Sequence, residues 1–167
     1  MKIGDTKRLY IVEAKESDID MIMEIENHKD NRDFIWQGTV EQHINEINSD
    51  DSMLLKFEAK KDKHCIGYCL VALDRKSERF ELRRIAITEK GKGYGREAIS
   101  ALIKYAFKEL GMNKFWLDVY PDNKVGIVLY ESLGLKKEGV LRQNYKSDRG
   151  YLDQIVYSML RSEYKEF

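Results

Sequence analysis

Apolar residues alternate or run together in short bursts along most of this chain, and lengthen into helical spacing at only four places. Leu9 to Ala14 (LYIVEA) predicts a first strand, and Ser17-Asp18 offers an N-cap for a short helix carrying Ile19, Ile22 and Met23. A polar stretch, KDNRDFIWQGT, leads into a second helix from Val40 to about Ile47, with Ile44 and Ile47 as a weak apolar stripe. Three strand-like runs follow between Met53 and Thr88: MLLKFEAK, HCIGYCLVAL and RFELRRIAIT, separated by the charged turns KDK and DRKSE. Short charged turns between strands predict an antiparallel meander.

At Glu89 the pattern changes. The strand stops, the glycine-rich turn EKGKGYG follows, and Ile99, Leu102, Ile103, Ala106, Phe107 and Leu110 recur at helical spacing up to a C-cap at Gly111. The strand KFWLDVY comes next and is broken by Pro121, the only proline. A helix from about Asn123 to Leu133 ends at Gly134, and the strand-like runs LKKEGVLR and YLDQIVYSML finish the chain. Antiparallel strands followed by β-α-β-α-β-β describe a mixed α/β (α+β) fold, and 167 residues suit one domain spanning residues 1–167.

Charge and composition narrow the function classes. Twenty-nine basic residues balance 29 acidic ones, so the net charge gives no attraction for nucleic acid or for an anionic membrane. No apolar stretch approaches the roughly 20 residues that span a bilayer, and Met1 to Tyr10 lacks the apolar core of a signal peptide, which predicts a cytoplasmic protein. Cys65 and Cys69 lie four apart on one predicted strand, about 13 Å between Cα atoms, too far for a disulfide. His28, His43 and His64 are scattered and no metal-ligand spacing occurs, so no metal is expected.

The glycine turn carries the chemistry. Closely spaced glycines between a strand and a helix bring unpaired backbone N–H groups and the positive end of a helix dipole together, a physical solution to binding phosphate. Gly91, Gly93 and Gly95 permit close approach, and Lys90, Lys92 and Arg96 add positive charge. A solvated surface turn is the plain alternative. Gly93-Tyr94-Gly95-Arg96-Glu97-Ala98 also fits the dinucleotide pattern G-x-G-x-x-G/A, with Asp118 20 residues after Ala98, which keeps a nicotinamide-dependent oxidoreductase open. Against that reading, the turn follows some 90 residues of mainly antiparallel pattern and leaves too little chain for a doubly wound sheet. No Gly-Lys-Ser or Gly-Lys-Thr occurs, so a nucleoside triphosphatase has no support.

The segment ITEKGKGYGREAI, followed after one helix by WLDVYPDNKVGIVLYESLGLKKEG, resembles the coenzyme-A-binding half of the GNAT N-acetyltransferase superfamily, closely over about Glu81 to Gly139. The ending GVLRQNYKSDRGYLDQIVYSML is most similar to the group of ribosomal-protein N-terminal (RimJ/RimL-type) and polyamine acetyltransferases. That resemblance implies a central twisted, mainly antiparallel sheet of about seven strands flanked by about four helices. It also implies acetyl-CoA as cosubstrate and, as acceptor, a small amine or a peptide N-terminus; a homodimer is common in the group. The family loop Gln/Arg-x-x-Gly-x-Gly/Ala falls on Lys90, Gly93 and Gly95, the intervening Lys92 and Tyr94 and the following Arg96 belonging to the same coenzyme site. Lysine at the first position departs from the pattern and lacks the fork of arginine. Ile85, Ala86 and Ile87 would offer backbone groups to the pantetheine arm as to an added strand. The motif Asn-x-x-Ala-x-x-x-Tyr falls on Asn123, Gly126 and Tyr130, with glycine replacing alanine where close packing would need the space. Asn123 and Tyr130, seven apart, would share a helix face and a ligand.

Acetyl transfer to an amine needs a neutral nucleophile, a partner for the oxyanion and a proton for the departing thiolate. By resemblance Tyr130 is the proton donor, the alternative being a core tyrosine beside Leu129 and Leu133. By the same resemblance Glu81 holds the place of a glutamate that in some family members relieves the ammonium of its proton directly or through water; the alternatives are an ordered water chain as base and a solvated residue paired with Arg83 or Arg84. A backbone N–H near Ile87, presented at a bulge, would meet the oxyanion. Phe34, Trp36, Glu24, Glu26, Asp30 and Asp33 are candidates for a pocket that attracts a cationic amine. A non-catalytic acyl-CoA sensor on the same fold is the second reading, which the presence of Tyr130 argues against.

Overall fold

A computed structural model describes residues 1–166. Eight strands form one sheet in the order β1-β2-β3-β4-β5-β6-β8-β7. They are β1 (Lys2–Asp5), β2 (Leu9–Glu13), β3 (Ser52–Ala59), β4 (Cys65–Asp74), β5 (Arg79–Ile87), β6 (Lys114–Val119), β7 (Lys136–Ser147) and β8 (Gly150–Leu160). The helices are α1 (Ile19–Asn27), α2 (Val40–Asn48), α3 (Tyr94–Lys104) and α4 (Lys124–Ser132). Among the described residues no helix is long and apolar enough to cross a membrane.

The predicted meander is present: β2 through β5 pair successively and antiparallel. Three details differ from the sequence expectation. An eighth strand, β1, pairs with Tyr10 to Val12, although its sequence KIGD is too short and too polar to show alternation. Asp18 does not cap α1 with its side chain; it closes a short turn by accepting from the Lys15 backbone N–H at 2.8 Å. The strand predicted at LKKEGVLR runs on to Ser147, because pairing with β8 carries it past its apolar residues. Helix α3 continues into a π-helical turn, Tyr105–Glu109, and Gly111 ends it in the left-handed region at φ 66°.

The sheet buries both faces. One carries α3 and α4 over Phe57, Val71, Phe80, Leu82, Phe115 and their neighbours; the other carries α1 over Leu54, Tyr68, Leu70 and Ala86. Strand β5 changes parity between them. Leu70 lies opposite Arg84 and Val71 opposite Leu82, which leaves Arg83 as an extra bulged residue. Before the bulge Phe80 and Leu82 face α3 and α4; after it Ile85 and Ile87 do, and Arg84 and Ala86 turn toward α1. The bulge therefore moves Arg84 from the face of Phe80 and Leu82, where strict alternation would have put it, into the buried layer under α1.

Candidate active site

Among the described residues β5 and β6 are the one parallel pair in the sheet, and they stay joined for only three residue pairs, ending at Glu81 opposite Trp116. Beyond that point they part. A cavity of about 1450 Å³ opens in the fork and reaches the loop between α1 and α2. Glu81, Ile85, Lys90, Asn123 and Tyr130 all line it, so the structure brings these five predicted residues together. A single short parallel pair is not the doubly wound sheet of a dinucleotide site, which removes the basis for the nicotinamide reading.

The glycine loop lies beside the cavity. Gly91 (φ 73°) and Gly93 (φ 79°) are left-handed, and Gly93 is the residue before α3, where no side chain caps the helix. The first N–H groups of α3 are thus unpaired by side chains at a positive helix end. Ala86, Ile87, Lys92, Gly93, Tyr94, Gly95 and Arg96 stand outside the cavity lining, on this strand end and loop. The cations are tethered: Lys90 Nζ donates to Asn31 Oδ1 at 2.5 Å, Lys92 to Glu89 at 2.6 Å, and Arg96 to Ser132 Oγ at 2.6 Å. Arg8, which no local pattern signals, braces the loop. Its guanidinium lies 4.3 Å over the Tyr94 ring, donates to the Lys92 carbonyl at 3.0 Å and pairs with Glu97 at 2.7 Å.

Tyr130 is 7% exposed, and its hydroxyl has no hydrogen-bond partner among the described residues. Burial, with the neighbouring Asp118 charge, pushes its phenol up to about 12, so it stays protonated at neutral pH. Asn123 reaches the same cavity, but its side chain folds back as the α4 cap, Oδ1 accepting from Gly126 N–H at 3.0 Å. A Cβ at Gly126 would meet Asn123 Nδ2 at 2.8 Å, so glycine replaces the family's alanine for the close packing the sequence suggested.

The carboxylates divide. Glu81 pairs with Arg83 at 2.8 Å, one of the two partners that the solvated alternative named. Asp118, two residues past the last β5–β6 pair, also lines the cavity; burial and the Glu81 charge raise its carboxyl to about 6. Sequence reading weighed Asp118 only as a dinucleotide residue. Of the acceptor candidates, Phe34, Trp36 and Asp30 line the cavity, whereas Glu24 and Asp33 do not.

Glu26 is buried instead beneath the cavity, at the centre of a charged cluster. Its carboxylate accepts from Tyr68 Oη (2.5 Å), Arg84 Nη1 (3.1 Å) and Gly38 N–H (2.9 Å) and meets His43 Nε2 at 3.2 Å. Glu46 joins from α2, bonded to His43 Nδ1 at 2.8 Å and to Arg84 Nη2. Burial works against a charge on His43, but the two carboxylates outweigh it and raise the imidazole to about 9. Arg84 in turn lies 5.0 Å from the Trp36 ring, so the cluster holds the aromatic wall in place. Nothing in the local sequence links Glu26, His43, Tyr68 and Arg84, which come from four elements.

Comparison with known proteins follows this geometry. The chain is 36% identical over 122 residues to the uncharacterized N-acetyltransferase YokL of Bacillus subtilis, covering 71% of this chain and 62% of that protein. It is 34% identical over 107 residues to the uncharacterized N-acetyltransferase p20 of Bacillus licheniformis, covering 63% and 60%. The chain thus spans about 60% of the length of these curated relatives. The crystal structure of spermidine N-acetyltransferase from Vibrio cholerae in complex with CoA and spermine superposes with a TM-score of 0.82 at 22% identity, over 93% of this chain and 96% of that one. Residues 8–136 match the acetyltransferase (GNAT) domain, and the chain belongs to that family.

Proposed function

We propose that this protein transfers the acetyl group of acetyl-CoA to a primary amine, a polyamine or other small amine or a peptide N-terminus. One observation carries the reading: an unpartnered, protonated Tyr130 hydroxyl stands in the cavity where β5 and β6 part, beside a left-handed glycine loop and an uncapped helix end. The fork supports the coenzyme's fit, because β5 beyond Glu81 has backbone groups that β6 no longer pairs. Ile85 to Ile87 would bind the pantetheine arm along that edge, and the loop from Lys90 to Arg96 would bind the phosphates. Acetyl-CoA supplies an acetyl group activated as a thioester. Tyr130 gives a proton to the departing sulfur. Glu81, held by Arg83, contributes negative charge that attracts the acceptor's ammonium, and Asp30, Phe34 and Trp36 form the wall on the acceptor side.

The test is release of free thiol from acetyl-CoA against a panel of amines and N-terminal peptides, with coenzyme binding followed by calorimetry. Tyr130→Phe is expected to lower kcat by about 100-fold or more with coenzyme affinity retained. Binding without turnover on any acceptor would favour an acyl-CoA sensor, and absence of coenzyme binding would overturn the reading of the loop.

A further inference from the structure

The amine acceptor arrives as an ammonium ion, and some group must take its proton before the nitrogen can attack. Glu81 is the candidate its strand position suggests, yet its carboxylate is already committed to Arg83 at 2.8 Å. Its Oε2 accepts from the Arg83 guanidinium, so an arriving ammonium would have to compete with that cation for it. Asp118 is placed differently. It is the first residue on its face of β6 after Trp116, where hydrogen bonding to β5 ends, so it stands at the mouth of the fork. No cation forms an ion pair with it among the described residues.

Asp118 is also held in place. Gln154 of β8 donates from Nε2 to Asp118 Oδ1 at 2.8 Å, and Asn144 of β7 donates from Nδ2 to Gln154 Oε1 at 2.5 Å. That relay uses one carboxylate oxygen and leaves the other without a hydrogen-bond partner among the described residues. The titratable and charged groups that act on it are Glu81 and Arg83 from β5, Tyr130 from α4, and Tyr120 on its own side of the turn.

We propose that Asp118 is the proton acceptor for the amine, with Glu81 attracting the ammonium and Gln154 positioning the base; this rests on the amine-acetylation reading above. An unpaired carboxylate beside a second one favours an arriving cation. The ammonium N–H bond then breaks, its proton goes to Asp118, and the electron pair stays on nitrogen. That pair forms the C–N bond to the acetyl carbon as the C–S bond breaks. The sulfur takes the proton of Tyr130, Tyr130 regains one from the newly bonded nitrogen, and Asp118 later releases its own to water, so the sum is amide, free thiol and one proton. Protonation of Asp118 also removes one of the two influences that hold the Tyr130 proton, which couples the two transfers.

The experiment is the pH dependence of kcat/KM on an amine that the wild-type protein acetylates, measured for wild type, Asp118→Asn and Glu81→Gln, with coenzyme affinity by calorimetry and melting temperature for each. Asp118→Asn is expected to lose about 100-fold or more in kcat, to lose the acid limb near pH 6, and to keep coenzyme affinity and fold. Glu81→Gln should instead raise KM for the amine, lower kcat less than about tenfold and keep the acid limb. An Asp118→Asn variant that keeps kcat within about threefold, or an acid limb that survives in it and vanishes in Glu81→Gln, overturns the assignment while leaving amine acetylation standing. A wild-type protein that acetylates no amine overturns both.

Discussion

On the reading proposed above, the coenzyme side and the acceptor side of this cavity are built by different means. The coenzyme side is backbone: a strand edge freed where β5 and β6 part, two left-handed glycines and the uncapped start of α3. Its side chains mostly secure one another, as Arg8 does with Glu97 and Arg96 with Ser132. The acceptor side is side chains: a buried cluster of Glu26, His43, Glu46, Tyr68 and Arg84 carries Trp36, and Asp118 is fixed through Gln154. A backbone site tolerates change in most of its side chains, whereas a site made of paired charges fails when one partner is lost. The two sides should therefore respond to mutation separately.

The largest expected effect comes from breaking the cluster. Arg84 is 5% exposed and, with His43, is one of two cations between two carboxylates, one of them fully buried, so its loss leaves the cluster one positive charge short. Replacing it by methionine leaves Glu26 short of a partner and should cost about 3–5 kcal/mol of stability, the usual penalty for an uncompensated buried charge. Denaturant unfolding measures that loss. Calorimetry on the folded fraction should find coenzyme affinity within about threefold of wild type, while KM for the amine rises. Parallel loss of both affinities would show that the two sides are one unit.

A smaller effect follows from pH. His43 gains its raised proton affinity on folding, so the folded state binds more protons than the unfolded state between pH 6.5 and about 9. Its contribution is present in full below pH 6.5 and is lost as pH rises through about 9, a fall of about 1–3 kcal/mol. His43→Gln should flatten that part of the stability profile. Persistence of the fall in the variant would place it on other groups.

The same division explains what the sequence disclosed. Strands β2 to β6 and the helix after the glycine turn were legible because alternation and helical spacing are local signals, whereas Asn123, expected to share a ligand with Tyr130, turns its side chain back to cap α4. Gly91 and Gly93 stood out through their spacing in one stretch of chain, and Tyr130 through the family resemblance. The cluster did not, because its members come from residues 26 to 84 and Arg84 joins only through the bulge at Arg83, which shifts the side-chain parity of β5. Asp118 was visible but weighed only as a dinucleotide residue, because its place where two strands part depends on pairing that no local pattern shows. β1 escaped because four residues carry no period.

The finest test divides the backbone side within itself. Gly93 is left-handed with open space around its missing side chain, the nearest atom to a Cβ there being Arg8 Nη2 at 3.6 Å. Gly95 has an ordinary helical backbone, and a Cβ there would lie 3.5 Å from Leu129 and 3.7 Å from Ile87, normal contact distances. Gly93→Ala should thus cost about 1–2 kcal/mol from backbone strain alone. Gly95→Ala should be neutral or stabilising by up to about 1 kcal/mol, since alanine favours a helix over glycine. Coenzyme affinity sharpens the contrast: if the loop's conformation binds phosphate, Gly93→Ala lowers it by about tenfold or more, equivalent to about 1.4 kcal/mol, and Gly95→Ala leaves it nearly unchanged. Equal losses in the two variants would mean that bulk near the helix start, rather than the left-handed turn, governs binding, and the backbone account of this side would fail.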